Sequence, residues 1–161
     1  MRHAPADHAP DSEPRILPLV PPAGLRVRDL IESIVADRPA PAAVRLALDV
    51  PADTRVTADA AAFRAAVERL VASAFVAATA VTPGDGPPLH EVVVTAIDGP
   101  DAFELEIADS GPSGSFDARC PAAVRELVDR CGGTLGVADC AEGGTAVTIR
   151  LPRRAVRRQA A

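Results

Sequence analysis

Phe63, Ala66, Val67, Leu70, Val71, Ala74, Phe75 and Ala78 recur at the three- and four-residue intervals that stack side chains on one face of a helix. A stripe of that length needs a broad apolar surface to cover it. The chain supplies one downstream, where residues 90–97 and 102–108 read as strands joined by Asp98-Gly99-Pro100-Asp101, a hairpin connection. Within the second strand Phe103, Leu105 and Ile107 alternate with Glu104 and Glu106, so one face is apolar and the other charged. Asp59 stands where the long helix begins and is its predicted N-cap.

The remaining elements are shorter. Val27, Leu30, Ile31, Ile34 and Val35 mark a first helix that Pro39 and Pro41 end, and Val44-Arg45-Leu46-Ala47-Leu48-Asp49-Val50 reads as a strand. Val124, Leu127 and Val128 mark a third helix with Gly132-Gly133 as its stop, ahead of strands near 134–139 and 145–151. Helices interleaved with strands in this order predict an α/β (α+β) two-layer sandwich: a mostly antiparallel mixed sheet with helices packed on one face. Its core must be aliphatic, because the chain has four Phe and no Tyr or Trp.

At 161 residues and 48% hydrophobic content the chain is sized for one core. Residues 1–24 are rich in proline and lack an apolar period, and 153–161 carry four Arg, so both flanks read as solvated tails around a domain at 25–152. Little buried area offsets the ordering entropy of residues 1–22 and 155–161, which are expected to pack poorly. A net charge of −5 gives no field that would gather DNA or an anionic membrane. No apolar run approaches a membrane span, and the start at Met1-Arg2-His3-Ala4-Pro5 lacks the apolar core of a secretion signal, so the cytoplasm is the expected compartment. Cys120, Cys131 and Cys140 are odd in number and include no CxxC pair, which predicts buried free thiols rather than disulfides or a zinc site.

The charged strand runs into Asp109-Ser110-Gly111-Pro112-Ser113-Gly114. A carboxylate at a strand end accepts hydrogen bonds without donating, which suits an exocyclic amino group such as that of adenine. Gly111 and Gly114 can adopt positive φ and let a ligand approach the backbone. Asp-Ser-Gly-Pro is equally ordinary turn chemistry.

Taken in order, the Val27–Ile31 helix, the Val44–Val50 strand, Thr57-Ala58-Asp59 opening the long helix, the Asp109-x-Gly111 turn, Cys131-Gly132-Gly133 and the closing Gly143-Gly144-Thr145 strand resemble the ATP-binding domain of sensor histidine kinases. These belong to the wider GHKL, or Bergerat-fold, family that also holds gyrase and the MutL proteins. The resemblance spans about Leu25 to Pro152. It implies a nucleotide site at Asp109, Gly111, Gly114 and Thr145, with the long helix contributing its outer flank.

On that flank the family carries a Glu and two Asn at four-residue intervals, and here the matching positions are Ala65, Arg69 and Ser73. Ser73 is a shorter, weaker metal ligand than an Asn carbonyl, Ala65 cannot act as a base, and the chain contains no Asn at all. Glu68, the nearest carboxylate, is turned about 100° per residue away from the flank. Arg69 is the remaining charge, placed by the resemblance to meet an anion or to plug the cavity. The family's glycine-rich lid is also missing, since only Ser115–Cys120 separate Gly114 from the third helix and no Gly lies between Gly114 and Gly132. His90-Glu91 matches the family's phosphoacceptor dipeptide but begins a strand, and no helical hairpin precedes Leu25.

The expected function is therefore that of a degenerate, pseudokinase-like domain, a non-catalytic regulatory or protein-binding module in two-component signalling. Its site residues are vestigial: Asp109, Gly111, Gly114, Ser73, Arg69 and Thr145. No catalytic residue, metal or cofactor is expected; weak ATP or ADP binding is allowed, without a contribution from Mg²⁺. The expected partner is a protein, such as a histidine kinase or response regulator. The alternatives are an ATP-binding kinase module working in trans, an anti-sigma-type GHKL switch protein, and a histidine phosphotransferase, the last disfavoured by the missing hairpin.

Overall fold

A computed structural model describes residues 24–80, 90–112, 120–141 and 143–153. The elements follow as β1 (Leu25–Arg26), α1 (Val27–Asp37), β2 (Arg45–Asp49), β3 (Arg55–Val56), α2 (Ala60–Thr79), β4 (Glu91–Asp98), β5 (Ala102–Asp109), α3 (Ala122–Arg130), β6 (Thr134–Asp139) and β7 (Thr145–Pro152). The tails at 1–22 and 155–161 and Gly114 lie outside the described residues.

Alternation decides which side of each strand is buried. Val92, Val94, Phe103, Leu105, Ile107, Val147, Ile149 and Leu151 face the helices, and Glu104 and Arg150 pair across the opposite face at 3.1 Å. The five strands stand in the order β2-β4-β5-β7-β6, with every neighbouring pair antiparallel except the parallel β2–β4. A second, two-stranded sheet pairs β1 with β3. This is the expected mixed sheet with helices on one side.

The eight-residue apolar stripe forms one helix, α2, and its side chains are buried as the spacing requires. Phe63 meets Phe103 edge to face at a centroid distance of 6.2 Å. The Asp59 side chain accepts the Ala62 N–H at 3.0 Å, capping the helix as expected, and also receives Arg130 at 2.7 Å, which ties the start of α2 to the end of α3. α3 stops in a Schellman motif: Gly132, at φ 73°, donates to the Asp129 carbonyl and Gly133 to that of Val128.

The Ala62 N–H and then the Arg130 guanidinium hold the Asp59 carboxyl below its ordinary value of 3.8. Because the folded value is the lower one, the contribution of this carboxylate is fully present above 3.8 and disappears as pH falls through the folded value. Thermal melts of the parent and of Asp59→Ala should therefore stand apart at neutral pH, with the parent higher, and draw together in strong acid. An acid-independent gap would contradict this assignment.

The cysteines are only partly as expected. All three are free, but Cys120 alone is buried; Cys131, which follows α3 and packs at the core's edge, and Cys140, which follows β6, are half-buried. Burial raises the pKa of each thiol. No described helix is long and apolar enough to cross a membrane.

Candidate functional site

Asp109 is the last residue of β5, paired with Val92 on β4 and with Thr145 at the start of β7. Both Asp109 and Thr145 are buried. The carboxylate oxygen Oδ1 accepts the Gly111 N–H at 2.9 Å, closing a turn of the Asx type. Ser110 locks the same turn to β4, its N–H donating to the Glu91 carbonyl at 3.0 Å and its Oγ accepting the Glu91 N–H at 2.9 Å.

Two glycines make this corner possible, Gly111 in a way not expected from sequence and Gly144 without an expectation attached to it. Gly111 does not take positive φ; its missing side chain lets the turn press against α2, where an added Cβ would stand 2.4 Å from the Ala77 carbonyl oxygen. Gly144, at φ 97°, lies so close to β5 that an added Cβ would come within 1.8 Å of the Asp109 carbonyl oxygen. Close backbone approach within the fold accounts for both. Gly144 carried no role in the sequence reading beyond its place in the closing strand, although its position after Gly143 and before a strand is the signal of a tight turn.

Ser73 reaches the same corner. With Leu70, Ala74, Ile107, Asp109 and Val147 it encloses a space of about 10 Å³. That is room for about one water molecule and far less than a purine needs. Arg69, one turn earlier, is exposed and does not line this space. Ala65 is half-buried, and Glu68 pairs with Arg38 of the α1 end at 3.9 Å, facing away from the corner as its spacing predicts. The structure thus brings Asp109, Gly111, Thr145 and Ser73 together and leaves Arg69 outside.

Few oxygen donors stand in this corner among the described residues. Magnesium needs several oxygen ligands in octahedral array. Position 73 offers one hydroxyl, and the Asp109 carboxylate is engaged with the Gly111 N–H. Among the described residues no group of three or more His, Cys, Asp or Glu side chains is placed to hold a metal. His90 precedes β4 and its Nδ1 donates to the Ala78 carbonyl at 2.7 Å, a packing role at the end of α2.

A much larger cleft, about 690 Å³, opens at the other end of the sheet. Phe103 and Leu151 line it, roughly 20 Å along the strands from Asp109 and Thr145. Sequence reasoning missed it, because its walls come from the start of α2, the end of α3 and the chain end beyond β7.

Neither the known family models nor the curated protein sequences match this chain. Solved structures do. The histidine kinase AdeS of Acinetobacter baumannii superposes with a TM-score of 0.63 at 18% identity, over 80% of this chain and 66% of that one, just under two thirds. The ATP-binding domain of PrrB from Mycobacterium tuberculosis gives 0.62 at 23%, over 81% and 96%. The histidine kinase domain of the E. coli osmosensor EnvZ gives 0.57 at 18%, over 85% and 92%. The chain carries the fold of the ATP-binding, catalytic domain of histidine kinases.

Proposed function

We propose that this domain is a non-catalytic regulatory module of two-component signalling, acting in the cytoplasm by binding another protein rather than by transferring phosphate. The observation that carries the reading is the outer flank of α2, where Ala65, Arg69 and Ser73 stand in place of the kinase-type Glu and two Asn. Phosphoryl transfer depends on positioning and on charge stabilisation by metal and base. This flank supplies neither. The corner around Asp109 is explained by packing, since its carboxylate and both neighbouring glycines have partners or close contacts inside the fold. A histidine kinase or a response regulator is the partner class this reading favours.

Incubation of the full chain with γ-labelled ATP and Mg²⁺ tests it. The expected result is no acid-labile phosphate on the protein. Stable incorporation that disappears in Asp109→Ala would overturn the proposal and make the domain a kinase.

A further inference from the structure

The five-stranded sheet ends in β2 on one side and β6 on the other. An edge strand presents a row of backbone N–H and C=O groups to any extended chain, and folds blunt it with charge, proline or cover. β2 is blunted in this way. Arg45 and Asp49 stand at its two ends, Pro41 and Pro51 flank it, and the Val50 carbonyl just beyond it accepts the Arg28 Nε–H at 2.8 Å.

β6 is built differently. Thr134-Leu135-Gly136-Val137-Ala138-Asp139 contains no proline and no charge before its last residue. Which of its backbone groups face outward follows from the hairpin to β7, where the Cys140 N–H donates to the Gly144 carbonyl at 3.1 Å. Successive residues of a strand turn to opposite sides, so Thr134, Gly136 and Ala138 face β7 as Cys140 does. Leu135, Val137 and Asp139 turn outward, and among the described residues nothing hydrogen-bonds their backbone. The side chains of Leu135 and Val137 lie on the helix side of the sheet; with Leu127 of α3 they pack against the core but stay only half-buried. The open edge and the incompletely covered apolar surface are therefore in one place.

We propose that β6 pairs antiparallel with β6 of a second copy, about a two-fold axis at Val137, joining two five-stranded sheets into one. This register sets Val137 against the partner's Val137 and Leu135 against the partner's Asp139, so every outward residue exchanges its backbone hydrogen bonds with another outward residue. A centre at Gly136 or Ala138 would leave one of the three facing a residue beyond the strand. The two Asp139 carboxylates stand apart by four residues of strand, roughly 14 Å, so no like charges meet. A second copy is the occupant these observations favour, because it brings both the matching open strand and another set of Leu127, Leu135 and Val137 to cover the first. One strand edge and a small apolar patch make a small interface, so the dimer is weak and reversible. The proposal does not depend on the nucleotide reading.

Sedimentation velocity of the full chain should show a monomer–dimer equilibrium in the micromolar range. Val137→Lys and Val137→Glu each set like charges against one another at the axis, and each should raise the dimer dissociation constant about tenfold or more. Mixing the two variants should restore dimers, because a cation then faces a carboxylate. Amide hydrogen exchange of the parent chain, read residue by residue, needs no variant. The Leu135, Val137 and Asp139 N–H groups should exchange about fivefold or more slowly at high than at low micromolar concentration, while those of Gly136 and Ala138 stay protected at both. A chain that is monomeric throughout, a dimer indifferent to both variants, or a mixture that stays monomeric would overturn the proposal. So would outward N–H groups that exchange at the same rate at both concentrations; uniformly slow exchange would make a segment of the same chain the cover of β6.

Discussion

Gly144→Ala will destabilise the domain by about 3–5 kcal/mol, a large part of the roughly 5–15 kcal/mol typical of such a fold. Gly144 combines two demands. Its φ of 97° is strained for any residue with a side chain, and its Cβ position falls 1.8 Å from the Asp109 carbonyl oxygen. A backbone atom at the end of the central strand cannot step aside as a flexible side chain would. The neighbouring Gly143 is the internal control, because it has φ 93° and nothing within 4 Å of its Cβ position. Gly143→Ala should show the dihedral penalty alone, about 1–2 kcal/mol. Urea unfolding of the two variants separates the effects, and equal losses would mean that close approach to β5 is not what Gly144 provides.

Phe63→Ala should cost a similar 3–5 kcal/mol. Phe63 is fully buried, and its ring sits edge to face with Phe103 at 6.2 Å, joining α2 to β5. A chain with four Phe and no Tyr or Trp has few other large side chains to collapse into the space left. Phe63→Leu retains most of the volume and should lose less than about 2 kcal/mol. The measurement is again the urea midpoint, with the slope of unfolding unchanged. A Phe63→Ala loss below about 1 kcal/mol would show that the helix–sheet interface relaxes freely, contrary to the packing described.

The parts of the fold legible in the sequence are those written as a repeating period over many residues. α2 was readable because Phe63 through Ala78 hold one face for more than four turns, and β5 because Phe103, Leu105 and Ile107 alternate with charge. The Asp59 cap and the Gly132-Gly133 stop follow from local backbone chemistry, which acts at fixed positions. The β1–β3 ribbon was not foreseen, since two residues per strand contain no period. The parallel placement of β2 beside β4 depends on where α2 returns the chain, which is a tertiary fact.

The candidate site divides in the same way. The Asp109 corner was visible as an alternating strand running into an acidic, glycine-rich turn, while the reading of Ala65 and Ser73 came from the family resemblance alone. The use of Gly111 against Ala77 and of Gly144 against Asp109 was not visible, because each contact joins segments far apart in the sequence. Arg69 occupies the matching place on the helix and is exposed, a position from which a long side chain can still reach an anion.

Calorimetric titration of the full chain with ATP, with and without Mg²⁺, tests the central claim most directly. The account predicts binding weaker than about 100 μM, less than roughly 5.5 kcal/mol, with little change on adding Mg²⁺. Low-micromolar, Mg²⁺-dependent binding that disappears in Asp109→Ala would contradict it.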